Sequence, residues 1–369
     1  MLLRRCTTST TINTLRWPAT KLLAVGQNIH RPVAGTRWLH RTVPAQAPFT
    51  VAPLPERKFV RVQGPDSVSF LQGLMTNDMR HFEHSGAIYA MFLKANGRVF
   101  CDTLIYKRPQ TAETDQHDYL LECDATVAPR LEKHLKLYRL RKKVQVGMDD
   151  EYRAWVAFKE ETVPGEEEAG PVTKDRLHVV KDPRLPRLGY RVFSSKEETA
   201  TRELLKSVFP DAITAPDTSL PYTVFRYSLG IGEGEENLPD GKCFPLECNC
   251  DLLHGVSFHK GCYIGQELTA RTYHTGVIRK RLMPLVFETA PKLSAADPDA
   301  LRDAEIKNAE GAVVGKLRGL AGNRGVGLLR IEKVLPGGQL TLNVAGEANP
   351  IPCHTSKPSW WPKELNTRT

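Results

Sequence analysis

The sequence predicts an α+β protein: a mixed helix–strand region followed by an all-β domain. Two observations carry this expectation. Between Lys58 and Leu229, β-patterned runs alternate with helix-patterned runs. After residue 276 the pattern changes to short alternating strands punctuated by Gly and Pro, which argues for a small barrel or sandwich. The change near Leu282 divides the chain into a leader (1–45), a mixed region (46–281) and a β domain (282–369). No internal repeat is visible.

Lys58-Phe59-Val60-Arg61-Val62 alternates and reads as a strand. Asp66 stands where it would cap a helix from Ser67 to Leu74, with Phe70, Leu71 and Leu74 on its apolar face. Thr76-Asn77-Asp78 reads as the helix exit. Two strands, Tyr89–Leu93 and Val99–Tyr106, flank Ala95-Asn96-Gly97-Arg98, and Asn-Gly is the strongest short hairpin signal. Tyr119–Cys123 is a further strand, and Val127–Leu137 has helical spacing. The tail of that helix, Lys133 to Lys143, is basic. It reads as a solvated face or as a docking patch for an acidic partner or anionic ligand.

Strands are expected at Val144–Val146, Trp155–Phe158 and Leu188–Phe193, and helices at 196–208 and Val224–Leu229. Glu160–Pro171 reads as a solvated loop. Gly230–Glu236 is glycine-rich but acidic, so it would repel phosphate, and it too reads as a loop. Arg281–Phe287, Ala312–Leu317, Gly325–Ile331 and Leu340–Val344 are the strands of the β domain.

The formal charge of +9 comes mostly from the leader. Residues 1–55 hold seven Lys and Arg and no Asp or Glu, which leaves the rest with 44 basic against 42 acidic residues, a net of +2. Net charge therefore gives no case for nucleic-acid binding. The leader is Arg-rich, Ser/Thr-rich and acid-free, the composition of a mitochondrial transit peptide, with cleavage expected between about residues 35 and 48. A disordered basic tail is the alternative. No run approaches the ~18 apolar residues of a membrane span. The cysteines are spread too widely for a secreted disulfide framework.

Chemistry concentrates in Ser257 to Arg271. Gly255–Phe258 reads as a short strand, and Gly261 and Gly265 permit sharp turns. Gln266–Arg271 reads as a helix, with Glu267 and Arg271 at i,i+4 in the favourable order. Cys262 would sit ahead of that helix with Lys260 two residues away, and both features favour a thiolate. The alternative is a buried cysteine that only packs.

Other chemistries lack their residues. There is no Walker loop and no His-Glu-x-x-His. Gly255-Val256-Ser257-Phe258-His259 has His where a nucleophile elbow needs Gly. Cys243, Cys248, Cys250 and Cys262 are wrongly spaced for paired Cys-x-x-Cys knuckles, although Cys248 and Cys250 would share a face if extended. A labile site using Cys262 with ligands from a second protein fits better than a closed zinc site.

Lys260-Gly261-Cys262-Tyr263-Ile264-Gly265-Gln266-Glu267 with Arg271 resembles the signature of the YgfZ/GcvT-like family, relatives of the glycine-cleavage aminomethyltransferase. Gly64, Asp66, Phe70 to Gly73 and Thr76-Asn77-Asp78 resemble its N-terminal element. Gly97-Arg98-Val99 with Asp102, Asp182-Pro183-Arg184, Pro245-Leu246-Glu247 and Val314–Leu317 match further segments in order. The similarity spans roughly residues 55 to 335.

With a transit peptide, the resemblance points to the mitochondrial iron–sulfur assembly branch. It implies a three-lobed ring of two interleaved α/β lobes and a C-terminal β-barrel around a folate-sized cavity lined by Asp102 and Arg226. It also implies a role in the matrix in maturing 4Fe–4S proteins with A-type cluster carriers. Cys262 would be a transient ligand of a cluster shared with that partner, supported by Lys260, Gly261, Tyr263, Gly265, Gln266, Glu267 and Arg271. No catalytic residue is implied. Two departures set the chain apart from the aminomethyltransferases. Ser228 stands where they hold a pterin with Glu, and Cys101-Asp102 stands where they have adjacent carboxylates. Loss of a strong acceptor weighs against tetrahydrofolate turnover. Folate-dependent aminomethyl or formyl transfer is the rival reading.

Overall fold

Alternation at Lys58–Val62 becomes the middle of a strand because Phe59, Val60 and Val62 are shut from water while Lys58 and Arg61 are not. This computed structural model describes residues 48–108, 117–161, 172–174, 177–195, 197–215, 217–291, 301–345, 347 and 349–364. The leader 1–45 and most of the Glu160–Pro171 loop lie outside them.

In chain order the elements are β1 (Thr50–Pro53), β2 (Arg57–Gln63), α1 (Ser67–Gln72), β3 (Ala87–Leu93), β4 (Val99–Lys107), β5 (Asp118–Asp124), α2 (Ala128–Tyr138) and β6 (Gln145–Asp149). There follow β7 (Arg153–Phe158), β8 (Val172–Lys174), β9 (Leu177–Lys181), β10 (Tyr190–Ser194), α3 (Glu198–Val208), β11 (Ile213–Thr214), α4 (Leu220–Ser228), α5 (Gly234–Asn237) and α6 (Gln266–Thr275). The C-terminal strands are β12 (Lys280–Phe287), β13 (Glu305–Lys307), β14 (Val313–Ala321), β15 (Arg324–Arg330), β16 (Leu340–Asn343) and β17 (Ile351–His354).

Two open sheets and a barrel result. One sheet has the order β3-β4-β5-β2-β6, the other β11-β1-β7-β10-β9-β8, and β12-β15-β14-β13-β16-β17 close a six-stranded barrel. Closure removes the exposed edges that an open sheet of short strands would present. The expected α+β class, the Asn96-Gly97 hairpin and the C-terminal β-barrel are all observed, although a short helix at Ile331–Val334 follows β15, so the region is not all-β. The first sheet packs α1 and α2 on one face through Phe70, Leu71, Leu131 and Leu135. Its other face, with Phe59, Tyr89 and Tyr106, joins Val156 and Phe158 of the second sheet, Phe225 of α4 and Val326 of the barrel in a shared core.

That shared core also encloses charge. Arg57 donates Nε to Glu122 at 2.8 Å, and Arg191 donates Nη1 to the same oxygen at 3.1 Å. Arg184 is bidentate on Asp182 at 2.7 and 2.9 Å and reaches Glu233 at 2.6 Å. Arg191 also donates to Glu233, and Tyr222 accepts from Arg184 and Arg191, each at 3.2 Å. Three arginines thus meet three carboxylates with nearly no solvent contact. Burial pushes the Glu233 carboxyl up, but Arg191, Arg184 and Arg57 outweigh it and hold it well below the usual range.

Several local expectations are corrected. Asp66 precedes α1 but does not cap it with its side chain; Oδ2 accepts from Lys143 N at 2.7 Å instead. Gly255–Phe258 is irregular rather than a strand, because its backbone bonds to the Thr76 turn and not to a ladder. Gly230–Glu236, expected to be a loop throughout, is one only as far as Glu233; α5 begins at Gly234, and Glu233 is buried. Cys248 and Cys250 lie in turns, so the shared face expected of an extended Cys-x-Cys does not arise.

Removing one member of the buried network leaves a charge without its partner. Glu233→Gln is expected to cost about 3 kcal/mol or more in urea unfolding. Because its folded pKa is depressed, Glu233 contributes stability above pH ~4.5 that is lost as acid protonates it in the native state. The variant should therefore show a flatter stability curve in acid than the wild type, and an equal slope would contradict this assignment.

Candidate functional site around Cys262

Tyr263 and Ile264 explain how the motif is held. Tyr263 is buried in the core shared by the sheets and barrel, while Ile264 packs against the α1–α2 core. Consecutive side chains enter different cores, so the chain is pinned on both sides and Cys262 is left at the surface. Cys262 is exposed, whereas Cys101, Cys123, Cys243, Cys248, Cys250 and Cys353 are all buried. Burial raises the Cys101, Cys123, Cys250 and Cys353 thiols, Cys123 and Cys353 to about 12, so these sulfurs stay protonated. A bond to Cys243, together with burial, does the same for Cys248. The structure therefore does not bring Cys243, Cys248 or Cys250 out to share the exposed setting of Cys262. Among the described residues no group of three or more His, Cys, Asp or Glu is placed to hold a metal.

The socket for the motif is the Thr76-Asn77-Asp78 turn. Thr76 donates its hydroxyl to Gly255 O at 2.6 Å, and Ser257 N donates to Thr76 O at 3.0 Å. Asn77 Nδ2 donates to Tyr89 O and His254 O at 2.6 and 2.8 Å. Ile264 N donates to Gly73 O at 3.2 Å. Lys260 completes the attachment by donating Nζ to Met75 O and Asn77 O, both at 2.6 Å.

This corrects the expected role of Lys260. Its ammonium is spent on two backbone carbonyls and lies 4.8 Å from the Tyr263 ring centre. Burial pushes its pKa down to about 8. It anchors the motif, and the sequence pattern alone could not distinguish that from service to the neighbouring thiol.

Gly265 and Gly261 differ. Gly265 has φ +77°, and a Cβ there would stand 2.4 Å from Lys94 O and 2.9 Å from the Leu93 Cβ. The Asn96-Gly97 hairpin turn lies against it, since a Cβ on Gly97 would stand 3.2 Å from Gly265 O. Gly261 has no positive φ and open space around its Cβ position, so the expected steric need for glycine is absent there. Helix α6 starts after Gly265, and Gln266 Oε1 accepts from Tyr263 N at 3.1 Å, satisfying a donor just ahead of the first turn. Glu267 and Arg271 are exposed and form no ion pair among the described residues, so the expected stiffening contact is not made.

Asp102 and Arg226 both lie in the interior and bracket one segment. Asp102 Oδ1 accepts from Gly234 N at 3.0 Å, and Oδ2 has no hydrogen-bond partner. Burial raises its pKa against the pull of Arg57. Arg226 Nη1 donates to Ile231 O and Asn237 Oδ1 at 2.8 and 2.7 Å. The two side chains meet through residues 231–237 rather than directly. Ser228 turns its hydroxyl back to Phe225 O at 2.6 Å.

Comparison with known proteins gives the family. The chain is 37% identical over 331 residues to the mouse (Mus musculus) protein named iron-sulfur cluster assembly factor IBA57, mitochondrial, covering 85% of this chain and 86% of that one. The human (Homo sapiens) protein of the same name is 37% identical over 323 residues, with 83% of each chain covered. The chain belongs to the IBA57 family. Its relatives in that family are named mitochondrial iron–sulfur cluster assembly factors. Residues 279–363, which include the barrel strands, match the CAF17 C-terminal beta-barrel domain. Among solved structures, glycine cleavage system aminomethyltransferase T from Bartonella henselae superposes with a TM-score of 0.63 over 85% of this chain and 87% of that one. At 12% identity this likeness shows the fold, which is the expected GcvT-like one.

The two glycines give a contrast that tests the site geometry. Gly265→Ala should cost about 1–3 kcal/mol, because a strained φ and a backbone clash coincide. Gly261→Ala should change stability by less than about 0.5 kcal/mol. Urea titration of both variants checks this; equal losses would refute the contrast.

Proposed function

We propose that this IBA57-family chain is an iron–sulfur cluster assembly factor of the mitochondrial matrix, in which Cys262 is a transient thiolate ligand to a cluster shared with an A-type carrier protein. The clients are 4Fe–4S proteins. The observation that carries this reading is the exposure of Cys262 beside six buried thiols. A single sulfur cannot fill the coordination of an iron–sulfur unit, which is normally held by several cysteines. The remaining ligands come from the carrier, and the cluster is cargo rather than a resident group. The names of the relatives support iron–sulfur assembly and a mitochondrial setting. The leader composition supports import.

In this reading the chain's own contribution is placement. Lys260 and the Thr76–Asp78 turn fix the entry to the loop, and Gly265 and α6 fix its exit. The sulfur is then offered from a preorganised turn, and little ordering cost remains when a partner docks.

Asp102 supports a second reading, as a folate-dependent one-carbon transferase. Its buried Oδ2 lacks a partner, as does the buried Tyr89 hydroxyl, and both atoms are suited to a polar ring system. The turnover arm of this reading is weakened by Ser228, whose hydroxyl is occupied within its own helix.

Anaerobic mixing with a cluster-loaded carrier tests the first reading. Cys262→Ser should lose the cluster absorption of the mixed complex and lower the yield of complex on size exclusion, with unfolding unchanged. A spectrum and yield equal to wild type would remove Cys262 from the mechanism. Titration with tetrahydrofolate followed by an assay for one-carbon transfer tests the second. No turnover is expected, and sustained turnover would reverse the order of the two readings.

A further inference from the structure

The end of α2 presents a surface that the site around Cys262 does not use. Residues 136–143 are exposed without interruption. Leu137 is 72% and Leu140 84% exposed, with Tyr138 beside them. Leu131 and Leu135 already supply the apolar face that α2 packs on the sheet, so Leu137 and Leu140 are surplus to the core. Leu140 also has φ 46°, in the left-handed region that a branched residue seldom enters. Lys133, Lys136, Arg139, Arg141, Lys142 and Lys143 surround these leucines, and no Asp or Glu occurs between positions 133 and 143. Of the nearby carboxylates, Glu132 is occupied by Lys136 at 2.7 Å and Asp66 accepts from Lys143 N. Lys142 donates to Ser69 Oγ at 3.0 Å.

We propose that this tip is a peripheral attachment site for an anionic lipid bilayer, with Leu137 and Leu140 entering the interface and the surrounding cations lying among the headgroups. Two leucines standing this far out of the surface would require a matched cleft in a protein partner. A bilayer interface accepts them with no matched shape, and basic side chains around an apolar tip are the composition that such a surface attracts. Among the described residues no helix is long and apolar enough to cross a membrane, so the contact is superficial and reversible. The proposal does not depend on Cys262.

Cosedimentation of the full chain with vesicles tests it, using phosphatidylcholine alone and with about 30% phosphatidylglycerol. Binding is expected to the anionic vesicles only and should fall as NaCl is raised from about 0.1 to 0.5 M. Leu137→Ser/Leu140→Ser should weaken partition about tenfold through lost apolar burial. Arg139→Glu/Arg141→Glu/Lys143→Glu should weaken it by charge, and the two variants act through different chemistry, so a folding defect in one leaves the other decisive. Anionic-vesicle binding by both variants equal to wild type would transfer the contact to another segment, the basic leader first, and overturn the proposal. Failure of the wild type to bind would also overturn it, as would retention on immobilised polyglutamate without vesicle binding, which would assign the tip to an acidic protein.

Discussion

The structure depends on six charges shut between two sheets. Arg57 and Glu122 come from β2 and β5, Arg191 from β10, Asp182 and Arg184 from the turn before it, and Glu233 from the segment before α5. Removing ions from water costs more than most pairs return, so such a group is a poor source of stability compared with an apolar core. What it does supply is geometric selectivity. Each guanidinium reaches at least one carboxylate from a distant part of the chain, and a shift of one sheet against the other would strand a charge. Asp102 lies near this group as a further buried carboxylate: burial raises its pKa, and the pull of Arg57 and Arg184 does not cancel that.

From that frame, placement passes outward by close contacts. The first sheet carries the β3–β4 hairpin, whose turn meets Gly265, and it packs α1, whose exit forms the socket for Lys260. Tyr263 and Ile264 then enter two cores in succession. The exposed sulfur is therefore held by rigid elements although it sits on a loop. Under the proposed role of Cys262, precision of this kind would place the sulfur for a metal centre that the protein does not itself enclose.

Much of the fold was legible in the sequence because period and turn chemistry are local signals. Asn96-Gly97 announced its hairpin, and the Gly/Pro-punctuated strands after residue 276 announced the barrel. The octapeptide stood out for the same reason, since its residues are contiguous. What was missed is non-local. Nothing adjacent to Lys260 in the chain indicates that Met75 and Asn77 will meet it, and nothing in the acidic glycine-rich run around Glu233 indicates that three remote arginines will meet it in the interior. Gly261 misled in the opposite direction, since a motif glycine suggests a steric need that open space around it does not support.

The division among the described cysteines between one reachable sulfur and six enclosed ones has a consequence for damage. A peroxide in the surrounding fluid meets the Cys262 sulfur first, and the step to a sulfenic acid there disturbs no packing. The molecule would stay folded while losing the one exposed thiol among its described residues. Under the proposed role of Cys262, oxidative stress would then silence the chain without making it aggregate, and a reducing thiol could restore it.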